Sequence, residues 1–107
     1  MEERIEFKQV QLFNELGDLD YTVVYKLQEH ATFTADLMVY DWRNQLTMII
    51  RIVKKYGGGF RMFRVIILDD AGVDELEFKE AKEIVKKLNS MDEPAKDIAK
   101  MLEDKVW

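Results

Sequence analysis

FRMFRVIIL, residues 60–68, is the stretch that decides how the fold is interpreted, because it is apolar on both faces of a strand. Phe60, Met62, Ile66 and Leu68 fall on one face, and Phe63, Val65 and Ile67 fall on the other. This pattern predicts a strand in the middle of a sheet, covered on both sides, or a strand at an oligomer contact.

Three strands are predicted before this stretch. Residues 5–13 carry polar groups on both faces, which is typical of an edge strand. Residues 21–27 alternate between apolar and polar and predict a strand buried on one face. Residues 31–40 alternate for five steps and also predict a strand, although a helical stripe that begins at Ala35 leaves a helix as the alternative.

Three helices are predicted from caps and apolar stripes. Asp41 caps the first, which ends at Gly57. Asp74 caps the second, with Glu77 completing a capping box, and Pro94 lies in the first turn of the third. The inward stripes are Trp42, Leu46, Ile49, Ile50 and Val53; then Phe78, Ala81, Ile84, Val85 and Leu88; and then Ala95, Ile98, Ala99, Leu102 and Val106.

These elements predict a single α+β domain over residues 1–107, with the order β-β-β-α-β-α-α. The sheet has three to four strands, antiparallel or mixed, with the helices packed on it. The chain of 107 residues is long enough for one core.

Composition excludes several kinds of chemistry. Without cysteine there is no disulfide, thiolate metal site or cysteine nucleophile. One serine, Ser90, and one histidine, His30, do not complete a catalytic triad or a histidine metal site, so His30 is interpreted as a surface turn residue and no cofactor is expected.

The longest aliphatic run, Val65–Leu68, is far shorter than a membrane span, so we expect a cytoplasmic protein without membrane contact. Lysine and glutamate total 22 residues against seven asparagines and glutamines, a bias that favours a thermophilic source.

Charge is unevenly distributed along the chain. Residues 42–68 contain six cations and no carboxylate, which leaves ten cations and 21 carboxylates elsewhere. The six are Arg43, Arg51, Lys54, Lys55, Arg61 and Arg64. Together with the aromatic residues and glycines among them, they form a candidate site for nucleic acid or another polyanion. The alternatives are helix C-terminal cations, or a basic strip that meets an acidic surface of another copy or of a partner protein.

Two other places are candidate sites. Asp69 and Asp70 follow the strand at 60–68 and supply the oxygen ligands that Mg²⁺ prefers, although a solvated turn is the simpler interpretation. Met101 and Trp107 near the C-terminus either fold back on the core or contact a partner, which makes a homodimer plausible.

Residues 44–88 resemble the helix, strand, turn and helix of STAS domains, with VIILDDAGV at 65–73 similar to the turn after the strand. The family carries a phosphorylatable Ser or Thr at the start of the next helix, where this chain has Asp74-Glu75-Leu76-Glu77. The resemblance covers under half the chain and implies a regulatory interaction module that works without phosphorylation.

The sequence therefore favours a small soluble, non-catalytic interaction protein that acts through homo-oligomerisation or a protein partner. Polyanion binding by the cations of residues 43–64 is the first alternative, and Mg²⁺-dependent chemistry at Asp69 and Asp70 is the second.

Overall fold

The computed structural model describes residues 4–29, 33–57 and 60–103, which form six strands followed by two helices. The strands are β1 (Arg4–Phe13), β2 (Leu19–Glu29), β3 (Phe33–Asp41), β4 (Leu46–Gly57), β5 (Phe60–Asp69) and β6 (Gly72–Phe78). The helices are α1 (Ala81–Asn89) and α2 (Ala95–Glu103). Each strand pairs antiparallel with its neighbour in the chain, so the sheet is a meander with the order β1-β2-β3-β4-β5-β6.

The predicted fold class is therefore wrong in strand number and element order. The sheet has six strands rather than three or four, and both helices follow it in the order β-β-β-β-β-β-α-α. The strand prediction for residues 31–40 is confirmed by β3, and its helical alternative is wrong. The prediction of an edge strand at residues 5–13 is confirmed by β1, which lies at one border of the sheet.

The predicted helix after Asp41 is strand β4 instead. Met48, Ile50 and Ile52 point to the buried side of the sheet, while Ile49 and Val53 point to the other side and are half-buried. A strand that is apolar on both faces shows no alternation, so its apolar residues also match a helical stripe. The β-branched side chains of this segment favour the strand.

The predicted helix at Asp74 begins too early, because residues 72–78 form β6. Gly72 has φ +119°, a conformation that suits glycine at the tight turn from β5, and it pairs with Asp69 across the hairpin. The spacing of Asp74 and Glu77 matches a capping box, but Leu76 and Phe78 pack against the core from a strand. Residues 44–88 are thus three strands and one helix, which does not match the STAS arrangement.

The core lies between one face of the sheet and the two helices. Val23, Leu37, Ile50 and Val65 from the sheet are in one buried cluster with Ile98 of α2. We call this side of the sheet the core face and the opposite side the open face. In the part of the chain that the structure describes, no helix or strand covers the open face.

Candidate functional site

The meander brings three turns to one end of the sheet. The turns at residues 14–18, 42–45 and 70–71 lie there, and the link between the helices joins them through Glu93 and Pro94. Asn14, Asp41 and Asp69 each begin a turn, and their side-chain oxygens accept the backbone N–H two residues on, at 3.0, 2.9 and 2.9 Å. We call this the acidic end, because carboxylates recur in all three turns and in the link.

A cleft of about 610 Å³ opens at the acidic end. Five of its lining residues are carboxylates: Asp20, Asp41, Asp69, Asp70 and Glu93. Apolar and aromatic walls come from Tyr21, Trp42, Met48, Ala71 and Pro94. Burial raises the pKa of the Tyr21 hydroxyl, and four nearby carboxylates, Asp20, Glu93, Asp41 and Asp97, raise it further. Negative charge therefore converges on this cleft.

Asp41 is the most constrained carboxylate of the cleft. The backbone N–H of Gln45 donates to it at 3.0 Å and lowers the pKa of Asp41, and Arg43 lowers it further. Arg43 donates from Nη2 to Asp41 Oδ2 at 3.0 Å, and its guanidinium lies 5.2 Å from the centre of the Trp42 ring. The charge of Arg43 is therefore matched within its own turn.

The two carboxylates predicted as a Mg²⁺ site both line the cleft. Asp69 is half-buried and uses Oδ1 to accept the backbone N–H of Ala71, while Asp70 is exposed. Among residues 4–29, 33–57 and 60–103, no three side chains of the metal-ligating types are grouped so that they could hold an ion. The turn conformation accounts for Asp69 without a metal.

The six predicted polyanion-binding cations are not gathered on one surface where the structure describes them. Arg43 lies at the acidic end, whereas Arg51 and Arg64 lie on the open face, where they pair with Asp36 at 2.7 Å and Glu75 at 2.8 Å. Lys55 is exposed on that same face. Lys54 is buried on the core face, 5.9 Å from the centre of the Phe63 ring, and the side chain of Arg61 is outside the described part.

The predicted partner contacts fall partly outside the described residues. Met101 is half-buried and packs against the core from α2. Trp107 and His30 both lie outside the ranges that the structure describes.

The sequence predicted the β1 edge, but it did not identify the exposed apolar side chains of β1 or the open face as candidate contact surfaces. β1 presents Ile5 and Phe7, which are 51% and 68% exposed. The sequence of residues 4–10, RIEFKQV, already shows this exposure pattern. Ile5 and Phe7 fall on one face of the strand, and the charged Arg4, Glu6 and Lys8 fall on the other.

Comparison with known protein families, with curated proteins and with solved structures finds no match to this chain. Neither described helix is long and apolar enough to span a membrane. The chain's own geometry therefore carries the inference about its function.

Proposed function

We propose that this protein is an interaction protein that pairs with a second copy of itself through β1. The observation that carries the proposal is an uncovered edge strand of ten residues with three large apolar side chains exposed, those of Ile5, Phe7 and Phe13. An edge strand presents a row of backbone N–H and C=O groups that can pair with another strand, and long apolar edges are usually protected.

The sequence of β1 is self-complementary in an antiparallel register centred on Phe7. Residues on the same face must lie opposite each other, so the two-fold axis passes through a residue and not between two. An axis at Phe7 places Glu6 of each copy opposite Lys8 of the other, so symmetry gives two such charge pairs. The same axis places the two Phe7 rings side by side.

Neighbouring registers are less favourable. An axis at Glu6 or at Lys8 places like charges directly opposite, which is destabilising. An axis at Gln9 places Lys8 opposite Val10, so both charge pairs are lost. An axis at Ile5 also places Arg4 opposite Glu6, but it overlaps only residues 4–6 of β1. The Phe7 register overlaps residues 4–10 and is therefore the one that we propose.

This arrangement also suits the overall charge distribution. A two-fold axis perpendicular to the sheet joins the two sheets edge to edge and directs the two acidic ends to opposite sides of the dimer. Repulsion between the acidic ends is then weak, since their separation exceeds the Debye length of about 8 Å at physiological salt.

The test is a charge exchange on β1. The wild-type protein is expected to sediment at about twice the 12.7 kDa chain mass in analytical ultracentrifugation. Lys8→Glu and Glu6→Lys each place like charges opposite one another and are expected to raise the dimer dissociation constant about tenfold at low salt. The double variant, Glu6→Lys with Lys8→Glu, restores both pairs and is expected to recover the wild-type constant.

Leu68→Gln is the matched control, because it changes the open face and leaves β1 intact. A monomer at all concentrations would overturn the proposal, as would single variants that dimerise as well as the wild type. A dimer lost in Leu68→Gln but kept in Lys8→Glu would place the interface on the open face instead.

A further inference from the structure

An uncharged row of side chains crosses the open face. Val24, Met38, Ile49, Leu68 and Val73 lie opposite one another on five successive strands, from β2 to β6. We call these residues the apolar row. Leu68 is 42% exposed and Val73 is 65% exposed, and the other three are half-buried among their neighbours.

The two borders of the apolar row differ in charge. Towards the acidic end come Thr22, Tyr40 and Leu46, which are uncharged, and then the turns that carry Glu15, Asp18 and Asp70. On the opposite border, Arg51 and Arg64 lie on the face and are ion-paired with Asp36 and Glu75. One border is therefore acidic, whereas the other carries Arg51 and Arg64 in ion pairs together with the exposed Lys55.

From this asymmetry we infer that the apolar row is a docking site for an amphipathic helix of another protein, one that carries lysine or arginine along the flank facing the acidic end. The inference is independent of pairing through β1, which leaves the open face uncovered. A second copy stacked with its strands parallel is a poorer occupant, because it would bring the same acidic turns to the interface.

The dimensions of the row fit a helix. Five strands spaced by ~4.8 Å span about 19 Å, which matches a helix of about 13 residues. Apolar residues at positions i, i+3, i+4 and i+7 of such a helix would cover the row. Lysine side chains on one flank would extend over the turns and lie near exposed carboxylates at distances where attraction is incompletely screened.

The experiment uses synthetic peptides as probes. A labelled amphipathic peptide of about 14 residues, with leucine on one face and lysine on the other, is titrated with the full chain and followed by fluorescence anisotropy. The same peptide with glutamate in place of lysine tests the charge complement, and a scrambled leucine and lysine peptide tests the need for an apolar face. We expect the amphipathic lysine peptide to bind at least about tenfold more tightly than either.

Two variants on β5 locate the contact. Leu68→Gln removes an apolar side chain from the row and is expected to weaken binding about tenfold. Met62→Gln is the matched control, because Met62 lies on the same strand and the same face as Leu68 and is similarly exposed, at 39%. Met62 is three side chains along that face from Leu68, towards the end of the sheet opposite the acidic end. It is expected to leave binding unchanged.

Several results would overturn the inference. The first is that the glutamate peptide or the scrambled peptide binds as tightly as the amphipathic lysine peptide. The second is that Leu68→Gln and Met62→Gln weaken binding of the lysine peptide equally. The third is that none of the peptides binds. A change of oligomeric mass in Leu68→Gln, with no peptide binding to the wild type, would assign the row to a second copy.

Discussion

Asp41 shows how one carboxylate can specify a turn. Its side chain is 9% exposed and accepts two backbone N–H groups, from Arg43 and Gln45, while its other oxygen pairs with the Arg43 guanidinium. Asn44 in the same turn has φ 64°, a left-handed conformation that asparagine tolerates better than most residues. The turn between β3 and β4 therefore depends on Asp41 being ionised.

Asp41→Asn is expected to lower stability at neutral pH, because it removes the charge-assisted bonds to Arg43. The pKa of Asp41 in the folded chain is lower than its ordinary 3.8, so its stabilising contribution is complete above that value and is lost as pH falls through the folded pKa. The difference in urea midpoint between wild type and Asp41→Asn should therefore shrink in acid.

Urea unfolding between about pH 7 and about pH 2 measures this difference. Asp70→Asn, which changes an exposed carboxylate of the next turn, is the matched control and should cost less at neutral pH. A difference for Asp41→Asn that stays constant over the whole range would contradict the prediction.

At the level of elements, alternation and caps predicted β1, β2, β3, β5 and α2 from the sequence. They failed at β4 and β6 for a physical reason. Ile49 and Ile50 in β4 point to opposite faces, and both are shielded, so local spacing does not distinguish strand from helix. In β6, Asp74 and Glu77 match a helix cap by spacing, and only pairing with β5 decides the outcome.

Helix α2 covers the core face, and its buried stripe gives a prediction at this scale. Ile98 is 0% exposed, so Ile98→Ala should lower the free energy of unfolding by about 2–5 kcal/mol through lost burial and a cavity. Alanine is a good helix former, so helix propensity does not oppose the change.

Lys96→Ala is the matched control on the same helix, because Lys96 is exposed. It should change stability by less than about 0.5 kcal/mol in the same urea titration. A similar decrease in the free energy of unfolding for the two variants would mean that α2 does not cover the core through Ile98.

At the scale of the whole molecule, the sequence showed that charge is segregated but not where the charges lie. Residues 42–68 hold six cations without an intervening carboxylate, yet the fold distributes those that are described to the open face, the core face and the acidic end. Alternation along a strand separates Lys54 from Lys55 by the thickness of the sheet. The acidic end shows the opposite relation, because its carboxylates are far apart in sequence and the meander brings them together.

We therefore expect weak binding to polyanions. Three of the described cations are matched by carboxylates within 3.0 Å, so few counterions would be released on contact with a phosphate backbone. A short DNA duplex should show no band shift with this protein at low salt. A shift that disappears steeply as salt rises would contradict this and favour the polyanion alternative.

The order of strands has a consequence for how the chain folds. Every pairing in the sheet joins strands that are adjacent in sequence, and the turns between them are short. Each hairpin can form without first closing a long loop, so little chain entropy is lost before the next pairing is gained. We expect this sheet to assemble hairpin by hairpin, at rates above those of β-sandwiches of similar length, whose strands must find partners from distant parts of the chain.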